Sequence, residues 1–251
     1  AAVVMRDIGF TPDRGGRPLA EIRRIVTDSV DYGLRVPTVR YLMLAAPFIG
    51  GVGVYIFYAL QPYLLELYGD PHAYGVAGLV AAILSGSQIA GGFLTTWVRG
   101  RFRRRTSALI AAQVCSVVAI LLIGLVANFW VVLALIVVWG LLNSATMPIR
   151  QAFLNGLIPS RQRATILSFD SLMSSTGGVV AQPILGRVAD VWSYPASYVV
   201  SGVISAFALP FLALARAQRT PTDTAVTAIG SPPPETPVPD QPTATADAAR
   251  R

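Results

Sequence analysis

Two ionisable residues, Arg150 and Asp170, stand where ionisable residues are costly. Each interrupts a long apolar run, and the runs flank a short turn, Ile158-Pro159-Ser160-Arg161-Gln162-Arg163. Apolar segments of about 20 residues read as membrane-spanning helices, so the stretch from Gly140 to Asp190 reads as a helical hairpin in a bilayer. Arg150 and Asp170 each lie ten residues from Ser160. In an antiparallel hairpin, equal distance from the turn means equal depth, on the order of 10–15 Å at 1.5 Å per residue. Charges at that depth pair with one another or line a water-filled cavity. Two arrangements are open. In one, Arg150 pairs with Asp170 and the pair latches two helices at a gate. In the other, Arg150 snorkels to the surface and Asp170 faces water. Asp170, the only carboxylate well inside a span, then becomes the candidate for carrying a coupled proton.

Uncharged polar residues form a second set. Gln88, Asn143, Ser144 and Ser174 fall near the middle of their apolar runs, and Tyr58 and Gln61 fall nearer one mouth. At mid-depth an amide must find a partner, so Gln88 serves either an interhelical hydrogen bond or a cavity wall. Together the six are candidates for lining a substrate cavity.

No catalytic constellation accompanies them. His72 is the only histidine and Cys115 the only cysteine, which excludes a multi-Cys/His metal site and any disulfide within the chain. No HExxH or phosphate-binding loop is present. The sequence points to no enzyme and to no cofactor.

The elements that carry these residues are long and apolar. The chain is 53% hydrophobic and 13% charged, where soluble domains carry about 25% charged residues. Six spans are expected, giving an all-α integral membrane fold. The first covers about 41–65 and the second about 73–98. The third and fourth share 106–149, a stretch with no charge at all. The fifth is the second hairpin arm, and the sixth covers about 191–215. The third reads as nearly featureless and lipid-facing. Asn128-Phe129-Trp130 marks a tight turn with aromatics at the interface. Residues 1–35 read as the close of a preceding span followed by a cytoplasmic linker. That linker carries an amphipathic helix over about 18–32. Residues 36–217 form the bundle. Residues 218–251, rich in Pro, Thr and Ala, cannot bury a core and are expected to be disordered.

The basic residues set the orientation. All 20 are arginine, a usage that fits a high-GC bacterial genome. Arg99, Arg101, Arg103, Arg104 and Arg105 crowd one loop. With both termini inside, nearly every arginine falls on the cytoplasmic side, Arg187 being the exception. The loop then serves topology and binds lipid headgroups, and the net charge of +7 needs no nucleic acid to explain it. The expected location is the cell membrane, crossed several times.

The series Arg150, Leu154-Asn155, Ile158-Pro159, Arg163-Ala164-Thr165, Leu167-Ser168, Pro183, Gly186 and Asp190 resembles helices 10 and 11 of the major facilitator superfamily. The resemblance extends over residues 36–217, one six-helix half of that family's fold. It implies two three-helix inverted repeats, with the third and sixth spans peripheral. It also implies a missing N-terminal six-helix half as partner. The family's Gly-x-x-x-Asp-Arg-x-Gly-Arg signature would open at Gly92, but its acidic position falls at Thr96.

Two functions follow. The first is secondary active transport of a small molecule by alternating access. An ion or proton gradient would drive it, and the resemblance implies drug-like efflux. The second is a non-transporting membrane scaffold, or an inert truncated half. Six spans also suit an ABC transporter membrane domain, but the short loops argue against the long cytoplasmic helices of that class.

Overall fold

The computed structural model describes Thr27, residues 33–160 and residues 162–224. Apart from Thr27, the expected amphipathic linker helix lies outside the described residues, as do the close of a preceding span, Arg161, the Arg99 side chain and residues 225–251.

Among the described residues, seven α-helices follow one another: α1 (Pro37–Tyr68), α2 (Tyr74–Arg101), α3 (Arg105–Leu125), α4 (Phe129–Leu157), α5 (Arg163–Val191), α6 (Tyr194–Ala206) and α7 (Ala208–Ala217). A 3-10 turn, Pro221–Asp223, comes last. Among the described residues there is no strand, only an isolated bridge between Arg104 and Thr224. The connections are short, so successive rods alternate in direction. The basic loop at 101–105, the Pro159 turn and Arg216 therefore gather at one end, the basic end.

Local chemistry sets the boundaries. Pro37 opens α1, where a missing N–H costs no helical bond. Gly69 closes it in the left-handed region, φ 82°, and its N–H donates to the Leu65 and Glu66 carbonyls. Asn128 Oδ1 caps α4 by accepting from the N–H groups of Trp130 and Val131, and Ser193 Oγ caps α6 through Ala196.

Among the described residues, five rods are long and apolar enough to cross a membrane: α1, residues 74–98 of α2, α3, α4, and α6 with α7 taken together. α5 has the length, 29 residues, but not the apolarity, because Ser171, Ser174, Ser175, Thr176 and four charged residues, Arg163, Asp170, Arg187 and Asp190, occupy it. The expected single sixth span is broken at Phe207. Pro210 cannot donate to the Ala206 carbonyl, so the helix restarts as α7.

α1 packs most extensively on α5, α2 on α4, and α3 on α4 and α6, while α7 lies against α1 and α3. The α1–α5 crossing depends on glycine. A Cβ on Gly51 would sit 2.5 Å from the Gly177 carbonyl carbon, and one on Gly177 would strike the Pro47 carbonyl. Backbone therefore rests on backbone, as small residues permit. One apolar cluster, including Leu42, Phe153, Leu154 and Leu212, fills the basic end. A second, including Tyr63, Ile123, Ile136 and Tyr198, fills the opposite end.

Two sequence expectations change here. α3 is not featureless: Gln113 is buried and donates to the Ser205 hydroxyl at 2.8 Å and its carbonyl at 3.0 Å. One amide in a long apolar stretch carries little weight in a hydropathy average, yet it ties α3 to α6. Residues 218–224, expected to hold no structure, fold back on the basic end, where Asp223 is 3% exposed.

Candidate functional site

The hairpin of α4 and α5 brings Arg150 and Asp170 together. Arg150 Nη1 donates to Asp170 Oδ2 and Nη2 to Oδ1, both at 2.7 Å. This two-pronged geometry is the strong form of a guanidinium–carboxylate contact. Nη2 also donates to the Leu42 carbonyl of α1 at 3.2 Å. One side chain thus binds three helices. Both side chains keep a little exposure, 17% for Arg150 and 11% for Asp170, so the pair forms part of a wall. It is not sealed in the core.

That wall belongs to a cavity of about 640 Å³ between α1, α4 and α5. Tyr58, Asn143, Arg150, Asp170 and Ser174 all line it. Of the six cavity candidates read from the sequence, it gathers three. Gln88 and Ser144 line a neighbouring space of about 390 Å³ between α2 and α4, which Asn143 and Met147 also border. Gln61 lines neither space and is exposed on α1.

A third chamber, about 80 Å³, lies behind Arg150. Asn143, Thr146, Gln113 and Ser116 face it. Asn143 and Met147 border all three spaces. Sequence reasoning passed over Gln113, Gln151, Asn155 and Ser171 as wall residues. Asn155 and Ser171 carry a local signal, since Asn155 is itself a member of the hairpin series and Ser171 adjoins Asp170. Gln113 and Gln151 carry none that depth alone reveals.

The arginine loop divides. Arg101 and Arg103 are exposed. Arg105 turns inward, and its Nη1 donates to the Ala152 carbonyl near the end of α4 at 3.1 Å. His72 is on the surface, 3.9 Å from Asp70, and Cys115 is exposed. No group of three or more His, Cys, Asp or Glu suited to a metal occurs among the described residues.

Chemically, this arrangement offers a largely apolar-walled cavity with hydrogen-bonding groups and one ion pair in its wall. It offers no activated nucleophile. The solved structures include a match over 83% of this chain, with a TM-score of 0.52 and 19% identity. That protein is a bacterial homolog to human lysosomal transporter, Spinster, in inward-facing and unoccupied conformation. The match takes in 53% of the solved chain, so this chain spans about half that transporter's length. At this identity the likeness concerns the fold. Comparison with curated proteins gives no match. The sequence model of the Major Facilitator Superfamily matches residues 43–245, four-fifths of the chain, and the alternating helices and their membrane-length apolar runs agree with it. The chain therefore belongs to the Major Facilitator Superfamily.

Proposed function

We propose that this chain is one six-span half of a secondary active transporter that moves a small molecule across the cell membrane by alternating access. The observation that carries the reading is the cavity of about 640 Å³ whose wall contains the Arg150–Asp170 pair beside Asn143 and Ser174. A space of that size suits a small-molecule site. Polar groups at mid-depth and an ion pair next to them fit a substrate site with a gate below it. The polar face of α5 has a reason in this reading: it fronts water and substrate, whereas a lipid-facing helix would be apolar. The other half of the cavity comes from a second six-helix bundle that packs over α1, α2, α4 and α5. The two three-helix units of this half are related as inverted repeats.

The basic end is cytoplasmic, with Arg101, Arg103, Arg104 and Arg105 on the inner face. Arg150 and Asp170 form a latch at the inner end of the cavity. A proton or ion gradient supplies the energy, and efflux of a drug-like molecule is the direction the family resemblance favours.

The test is two-sided labelling of the complete protein in sealed vesicles. Cysteines replacing Asn143 and Ser174, in a Cys115→Ala background, should react with a membrane-impermeant thiol reagent from either side, and imposed gradients should shift the balance. Reaction from one side only, under every gradient, would overturn alternating access and favour a membrane scaffold that does not transport.

A further inference from the structure

We infer that residues 220–224 are a built-in strap that caps α3 with Asp223 and seats Thr222 on the end of α4, and so positions the inner rim of the cavity.

The strap begins with a reversal. α7 ends at Ala217, and Arg219 then adopts φ 48°, the left-handed region that a non-glycine residue rarely enters. This turns the chain back toward the bundle. The turn that follows closes on itself, with the Asp223 N–H donating to Thr220 and the Thr224 N–H to Pro221. Thr224 then meets the backbone of Arg104 in an antiparallel bridge.

The contact that fixes the strap is a helix cap supplied from far along the chain. The N-cap residue of α3, Arg104, offers no side-chain acceptor. The first N–H groups of a helix have no partner within it. Asp223 supplies one: its Oδ1 accepts from the Thr106 N–H at 2.8 Å and its Oδ2 from the Thr106 hydroxyl at 2.7 Å. Thr106 is 2% and Asp223 3% exposed. A carboxylate suits the positive end of the helix dipole, and the residues just before Thr106, Arg103, Arg104 and Arg105, are basic. The two partners are 117 residues apart, so the cap joins the last part of the bundle to its middle.

The strap also reaches α4. A Cβ on Gly156 would lie 3.5 Å from Thr222 Cγ2 and 4.0 Å from Arg105 Nη1. Arg105 holds the Ala152 carbonyl one turn earlier. Asn155, between these two points, lines the main cavity. The strap and Arg105 therefore grip the outside of the α4 turn whose inside forms the cavity rim. Arg150 stands one to two turns further up the same helix.

The geometric claim does not depend on the transport reading; only its consequence for transport does. Three variants of the complete protein separate the two, each carrying Cys115→Ala and Asn155→Cys. One stops after Thr224 and keeps the strap. One stops after Arg219 and lacks it. One is Asp223→Ala. The readout is the rate at which a thiol reagent labels position 155 from the basic end. We expect the variant stopped after Thr224 to match the full chain, and the other two to label several-fold faster. Equal rates in all variants, or the same acceleration in the variant stopped after Thr224, would overturn the strap. Should the shorter variant fail to fold, Thr106→Cys with Asp223→Cys in the full chain decides the geometry. A short bifunctional thiol reagent should join the two positions in the membrane, and failure to crosslink refutes the docking. If labelling changes as expected while transport stays at its full rate, the strap exists but the transport reading of the rim is wrong.

Discussion

Asp170 accepts a hydrogen bond from each terminal nitrogen of Arg150, both at 2.7 Å, and the same guanidinium holds the Leu42 carbonyl at 3.2 Å. The pair therefore fixes α4 to α5 and both to α1 toward the basic end of the cavity. Removing one member of a buried pair leaves an uncompensated charge, which costs about 3–5 kcal/mol. The residual exposure of both side chains sets the expectation for Asp170→Asn at the low end, about 3 kcal/mol. Thermal unfolding of the purified protein measures it.

The same pair separates a latch from a proton carrier. As a latch, Asp170→Asn weakens transport and the Arg150→Asp, Asp170→Arg exchange partly restores it. As a carrier, Asp170→Asn abolishes the pH dependence of transport and the exchange restores nothing. The two-pronged bond leads us to expect the latch. Transport measured against external pH in the single and double variants gives the answer.

The glycine crossing gives a prediction about stability. Gly177→Leu must push α5 off the Pro47 carbonyl, and overpacking of this kind costs about 1–3 kcal/mol. It should also shift Asp170, two turns away on the same helix. Gly92→Ala, which would place its Cβ in open space, is expected to change the melting temperature little. Equal melting temperatures for Gly177→Leu and the native protein would count against the close crossing.

How much of this was legible follows from what a sequence encodes. It encodes depth along a helix well, which is why equal spacing from Ser160 anticipated a meeting of Arg150 with Asp170 as one of two arrangements. It encodes rotation poorly in a membrane, where polar and apolar faces differ less than in water. Tyr58 and Gln61 are three residues apart, yet only Tyr58 reaches the cavity. Gln113 was hidden because one amide scarcely lowers the apolarity of α3, although burial makes it bond to Ser205. Asp223 was hidden for another reason. Its partner Thr106 lies 117 residues away, and the Pro- and Thr-rich composition that follows it dominates the local signal.

Topology has a direct test. A cysteine replacing Asp70, in the loop between α1 and α2, should be labelled from outside intact cells. One replacing Arg103 should be labelled only after permeabilisation. The reverse pattern would invert the bundle and move the Arg150–Asp170 pair to the outer gate.

Asn143 is the residue on which the cavity assignment can be decided. It borders the large space, the space beside Gln88 and the chamber behind Arg150. A side chain at that junction meets a substrate whichever of the two larger spaces the substrate occupies. Loss of one hydrogen bond costs about 0.5–1.5 kcal/mol, so Asn143→Ala should raise KM by up to roughly tenfold with a smaller change in maximal rate. Asn143→Phe, which adds bulk at the junction, should abolish transport while the protein still folds. Gln61→Ala, on a residue outside these spaces, serves as the control. If Asn143→Phe transports normally, substrate does not pass this junction. If Gln61→Ala raises KM as much as Asn143→Ala, the binding surface lies nearer the mouth, where Gln61 stands exposed.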